Sequence, residues 1–280
     1  MKLATEEDLL EYILNEINSD KLVLPTLPDV AIKVRQTMNQ GDVSANQISD
    51  IIATDTALSA RLIQVANSPL YRGRQQIEKL QMVVARLGNN TVRTLVTSLV
   101  MQQVFNPGSK SLEAKFREIW EQSVNVSAVA RALAQFCRHL DPDQAMLAGL
   151  IHQIGKLPIL IVGSRTEGLL DDPERLNWIL DNLHPMIGKM IMDAWDFPKS
   201  LRPVASEYRN FKRNVSDQAD YVDVVQVAYI QNLIDTNGNK DGIDVANVPA
   251  FSKLGLNPEI EVLEVEGISE KIAEAHALLT

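Results

Sequence analysis

The chain has 280 residues, enough for one large domain or two modest ones. It is 45% hydrophobic, 22% charged and 5% aromatic, which builds a buried core and excludes a disordered or low-complexity chain. A net charge of −9 with few aromatics argues against nucleic acid as the main partner, and a single cysteine, Cys137, excludes an intrachain disulfide and a multi-cysteine zinc site.

The charge is unevenly placed. Residues 216–280 hold twelve acids against three lysines, which accounts for the whole net charge. Between Arg61 and Phe105, Arg61, Arg72, Arg74, Lys79, Arg86 and Arg93 face one acid, Glu78. Such a strip reads as a solvated helix face or as a complement to the acidic end of the same molecule. Apolar runs such as 159–162 fall far short of the ~20 residues of a membrane span, and the first residues lack the apolar core of a signal peptide. These features predict a cytoplasmic protein with no membrane partner.

In chain order, Ile48, Ile51, Ile52, Leu58, Leu62 and Val65 follow the spacing of a buried helical face. Asp42 and Ser44 are candidate caps ahead of it, and Asp55 is the candidate cap of a second helix. Val83, Val84 and Leu87 continue the pattern up to Gly88, which reads as a left-handed C-terminal stop. Val92 to Val100 form another stripe, and Asn106-Pro107-Gly108-Ser109 is the clearest break. A long amphipathic helix is predicted over 112–139, with Cys137 near its polar end, and a further helix over 145–162. Later helices follow Asp172-Pro173 and Phe197-Pro198 and cover 222–234. Met186, Met190 and Met192 read as core filler. Alternation of period two is absent beyond four residues. The predicted fold is all-α and multi-helical, with an N-terminal helical lobe (1–108), a second helical lobe (109–235) and an acidic tail with a short helix (236–280). The loop 235–244 resembles a calcium loop in composition but lacks the glutamate at its twelfth position, so it reads as a surface turn.

The chemistry-bearing stretch is Ala148-Gly149-Leu150-Ile151-His152-Gln153-Ile154-Gly155-Lys156. It resembles the His-Asp-x-Gly-Lys helix of the HD superfamily of metal-dependent phosphohydrolases, with Gln153 at the aspartate position. Four further motifs lie in order: Leu24-Pro25-Thr26-Leu27-Pro28, Asp55-Thr56-Ala57-Leu58, Val65-Ala66-Asn67-Ser68-Pro69-Leu70-Tyr71 and Ala85-Arg86-Leu87-Gly88. Together, over about residues 20–235, they resemble the HDOD family, in which a helical lobe is packed on a degenerate HD-like lobe. Within those motifs Asp55, Asn67, Ser68 and Gly88 are expected to serve structure.

The resemblance assigns the metal positions one by one. The first histidine position is Gln122, the central pair is His152-Gln153, and a later histidine matches His184. A further ligand falls near Glu207-Tyr208, and the final aspartate position is Tyr229. Hydrolysis by this route needs an ion that binds substrate and acidifies a water, and carboxylates to neutralise that ion. Gln153 offers only a neutral amide, and a tyrosine is protonated near pH 7. No metal is therefore expected, the candidates for one being His152, His184 and Glu207. Cys137 and His139 point apart on a helix and do not form a nucleophile–base pair.

What the resemblance implies is a non-catalytic bacterial signal-transduction domain acting on signalling proteins in trans. The relic pocket of His152, Gln153, Lys156 and His184 would take a small phosphorylated, nucleotide-like ligand without hydrolysing it. The alternative is an active phosphohydrolase on nucleotides or cyclic dinucleotides, with a divalent metal as cofactor. The sequence leaves open whether the acidic tail docks on the basic strip; if it does, removing residues 236–280 should strengthen partner binding.

Overall fold

A computed structural model describes residues 8, 11, 12, 15, 24–41, 43–106, 108–238, 242–257 and 267–280. The expected cap Asp42, Pro107 of the predicted break, residues 239–241 of the polar loop and residues 258–266 of the acidic segment lie outside them. Helices account for all regular structure among the described residues, as the periodicity predicts.

The N-terminal helices are α1 (Asp29–Met38), α2 (Ala45–Ile52), α3 (Thr56–Ala66) and α4 (Leu80–Val104). Ser44 and Gln47 close a reciprocal capping box on α2, and the Asp55 carboxylate accepts the Leu58 N–H at 3.0 Å to start α3. Gly88 breaks α4, with φ 79° and ψ 161°. Its positive φ agrees with the sequence reading, but its ψ lies outside the left-handed helical region, so it joins two helical segments instead of ending one.

The following helices are α5 (Lys110–Ala134), α6 (Pro142–Ile151), α7 (Lys156–Gly163), α8 (Pro173–Ala194), the short α9 (Val204–Glu207) and α10 (Tyr221–Asn237). α5 ends five residues earlier than predicted, so Cys137 sits in the turn after it, partly buried. The predicted helix over 145–162 is two helices, broken at residues 152–155. Gly155 explains the break: a Cβ there would lie 2.1 Å from the His184 carbonyl oxygen and 2.6 Å from the Gly188 nitrogen. Gly149 makes the matching approach of α6 to α5, with a Cβ position 2.4 Å from Ser127 Cα. Residues 142–163 are apolar and long enough by composition to cross a membrane, yet 89% of that window is buried inside the protein. Of the three methionines, only Met192 is fully buried, and Met186 is 40% exposed.

The C-terminal region joins the core. In α11 (Pro249–Lys253) and α12 (Ile268–His276), together with their flanks, Val248, Phe251, Ile268, Leu278 and Leu279 are buried, and α12 lies along α5. Arg61 of the basic strip donates to the Leu278 carbonyl at 3.1 Å, a contact with the backbone of the C-terminal segment. Gly155→Ala should lower stability by about 3 kcal/mol, at the top of the usual overpacking range, because backbone cannot swing aside as a side chain can. Urea unfolding checks this, and a loss under ~0.5 kcal/mol, typical of surface changes, would contradict the packing.

Candidate functional site

The break between α6 and α7 sets His152 at the C-terminus of α6, facing His184 on α8 across the Gly155 contact. Both rings are fully buried. His152 Nδ1 pairs with the Gly149 carbonyl at 2.6 Å and His184 Nδ1 with the Leu180 carbonyl at 2.7 Å. A carbonyl only accepts, so each ring carries its proton on Nδ1 and turns an Nε2 lone pair inward. On His152 that lone pair accepts from Gln153 Nε2 at 3.0 Å, and the same amide nitrogen also donates to Gln122 Oε1 at 3.2 Å. His184 Nε2, Gln153 Oε1 and the Tyr208 hydroxyl have no hydrogen-bond partner in the structure.

Two tyrosines pack beside the imidazoles. Tyr208 packs edge-on to His152 with centroids 4.8 Å apart, at 5.5 Å from His184 and at 4.9 Å from Tyr229. Tyr229 lies 5.8 Å from His152. The structure thus gathers Gln122, His152, Gln153, His184 and Tyr229 in one cluster and adds Tyr208, which the sequence reading placed only loosely. Lys156 stands partly buried at its edge, beside Asp181, Arg209 and Glu118. Arg209 is paired with Asp181.

Glu207, the third candidate ligand, is committed elsewhere. Its carboxylate accepts from Arg213 Nε at 2.6 Å, and Arg213 also forks onto Asp220 at 2.7 and 3.1 Å. Asp220 caps α10, and the fully buried Asp223 is held by Lys253 at 3.1 Å, which ties α11 to α10. Among the described residues no group of three His, Cys, Asp or Glu side chains could hold a metal ion.

Electrostatics keep both imidazoles neutral, the form that ligates metals, so it is the missing carboxylates that tell against a cation. Burial, reinforced by the charge of Lys156, lowers the pKa of His152 and of His184 to about 3. Burial also lowers Lys156 to about 8. Two neutral imidazoles beside a lysine and Arg209, with amides and phenols in place of carboxylates, do not fit a divalent cation. The imidazole tautomers and backbone anchors of a ligand set persist, but the neutralising acids of such a set are missing.

The family motifs of the N-terminal helices serve a second cluster. Asn67 accepts the Ile77 N–H at 2.8 Å and donates to the carbonyls of Ile77 and Ile63, pinning the loop after α3. Ser68 accepts from Tyr71 and Arg72 through its carbonyl, while its buried hydroxyl has no partner in the structure. Tyr71 then reaches across to α5 and α6. Its hydroxyl bonds Asp143, Arg131 lies 5.5 Å over its ring, and Arg131 pairs with Asp143 at 3.0 Å. Sequence reasoning missed Arg131 and Asp143. The one local signal is a charged residue in the Ala- and Val-rich end of α5.

Among the described residues the fold is all-helical, and it brings His152 and His184 into one cluster. The HDOD domain profile matches residues 24–211, more than half of the chain. The chain belongs to the HDOD family. It is similar to a structure from Shewanella amazonensis SB2B, provisionally described as a metal-dependent phosphohydrolase, at 28% identity and a TM-score of 0.85, covering 99% of both chains. An HDOD domain protein of unknown function from Geobacter sulfurreducens matches at 20% identity and a TM-score of 0.66, over 97% of both chains. A protein from Marinobacter aquaeolei VT8, provisionally described as a signal transduction protein, matches at 18% identity and a TM-score of 0.64, covering 98% of this chain and 65% of that one. Comparison with curated proteins finds no match.

Proposed function

We propose that this protein is a non-hydrolytic bacterial signalling domain of the cytoplasm, acting through protein partners, in which the HD site has become a packing element. The observation that carries this reading is the donor set: Tyr208 and Tyr229 pack against the His152 ring, and Gln153 stands where a carboxylate would. Phosphoester hydrolysis by this route needs an ion and carboxylates that neutralise it, and this donor set lacks those carboxylates.

The signal-transduction description of the Marinobacter relative supports the regulatory reading, and the phosphohydrolase description of the Shewanella relative supports its alternative. Hydrolysis assays on bis(p-nitrophenyl) phosphate and on cyclic dinucleotides, with manganese, iron or nickel supplied, separate the two. The expected outcome is no turnover above a His152→Ala control. Turnover that this substitution abolishes would establish the phosphohydrolase.

A further inference from the structure

A cavity of about 290 Å³ lies where α1 and α4 meet α6 and the segment after α8, well apart from the histidine cluster in its lining residues. Four cationic side chains border it, Arg35, Arg93, Lys199 and Arg202, against one carboxylate, Asp196. That carboxylate is already engaged: it accepts from Arg202 Nη2 at 2.7 Å, and its side chain is 72% exposed. Arg35 uses one nitrogen on the Trp195 carbonyl at the end of α8. The Arg93 side chain makes no hydrogen bond or ion pair among the described residues. Burial lowers the pKa of Arg35; Asp196 opposes that shift and the charge of Arg93 adds to it, so the two guanidiniums stand close enough to repel. A folded chain that holds several cations around a cavity with a single, shared carboxylate has charge left to satisfy.

The remaining wall is mixed. Asn39, Thr94, Thr97 and Gln144 share it with Leu147, Phe197, Pro198 and Leu201. Convergent charged groups over a partly apolar lining suit a small polar ligand, and the volume lies just under the ~300–1,000 Å³ range of small-molecule sites. We infer that this cavity binds a small phosphorylated organic molecule of about mononucleotide size, its phosphate held by Arg35 and Arg93 and its remainder set against Asn39, Gln144 and Pro198. A cyclic dinucleotide is too large for it. Because Arg35 and Arg93 come from the N-terminal helices while Lys199 and Arg202 come from the HD-like ones, an occupant joins the two sets. Occupancy is then a means of fixing their relative position, which a signalling domain can report. This inference does not depend on whether the histidine cluster hydrolyses anything.

Calorimetric titration of the full chain with AMP, GMP and pyrophosphate, and with adenosine as the phosphate-free control, tests it. At least one phosphate-bearing probe should bind with Kd below about 1 mM, adenosine should not, and Arg93→Gln should weaken binding about tenfold or more. Lys199→Gln, at an exposed position, should weaken it too and serves if the Arg93 variant fails to fold. No binding by any of the three probes, adenosine binding as tightly as AMP, or affinity unchanged in a folded variant would each overturn the site.

Discussion

Acidification from pH 6.5 toward about 4 should destabilise the protein by up to ~2.7 kcal/mol per pH unit. The cause is the histidine pair. In the unfolded chain each imidazole takes up a proton near pH 6.5, whereas burial holds His152 and His184 neutral in the fold until about pH 3. A base whose folded pKa is depressed stabilises the fold fully above its unfolded value and loses that contribution as pH falls toward the folded one. Each ring therefore accounts for about 1.4 kcal/mol per pH unit across that window. Asp143 and Asp223, whose pKa values burial raises, run in the opposite sense and offset part of the slope. Urea midpoints at several pH values measure the slope. His152→Asn should reduce it by about half, whatever it does to stability at neutral pH. A slope that the substitution leaves unchanged would show that the two rings take up protons in the fold.

Asp143→Ala should cost about 3–5 kcal/mol, because it strands the Arg131 guanidinium in the core without a counter-charge. Arg131 and Asp143 are 6% and 7% exposed, so solvent does little to screen the loss. Tyr71→Phe, which removes one hydroxyl from the same cluster, should cost about 1 kcal/mol. Converting the pair together, Arg131→Met with Asp143→Leu, should restore most of what Asp143→Ala loses, as replacing a buried pair by apolar groups commonly does. Equal losses for the single and the paired change would place the cost in packing instead of in the unpaired charge. This cluster is also how the Asn67–Tyr71 motif acts: Asn67 fixes the loop so that Tyr71 meets a charge pair on α5 and α6.

The helical class and the histidine cluster were legible from the sequence because they rest on local signals, namely apolar spacing, caps and a short motif. His152, Gln153 and His184 come together as the resemblance implied, joined by Gln122 and Tyr229. What escaped has weak local signals. The turn at 152–155 falls on His152, Gln153 and Gly155 within an apolar stretch, and the close approach of His184 explains why residue 155 is glycine. The Arg131–Asp143 pair spans a turn, with Tyr71 contributed from 60 residues before Arg131. Glu207 and Tyr208 are adjacent, and periodicity alone does not say which of them enters the cluster; Arg213 takes the carboxylate and leaves the ring. The acidic bias of the last 65 residues hid the few apolar anchors, Phe251, Ile268, Leu278 and Leu279, that dock it. Truncation of the chain after residue 235 should therefore destabilise the protein by uncovering α5, and not simply free a partner surface.

The central claim is that an HD-type pair of histidines persists here without its metal. Elemental analysis of untagged protein, equilibrated with manganese, iron, nickel and zinc and then washed, tests it directly. Occupancy near zero, unchanged in His152→Ala, is the predicted result. One ion per chain, lost in that variant, would contradict it and make His152 a ligand.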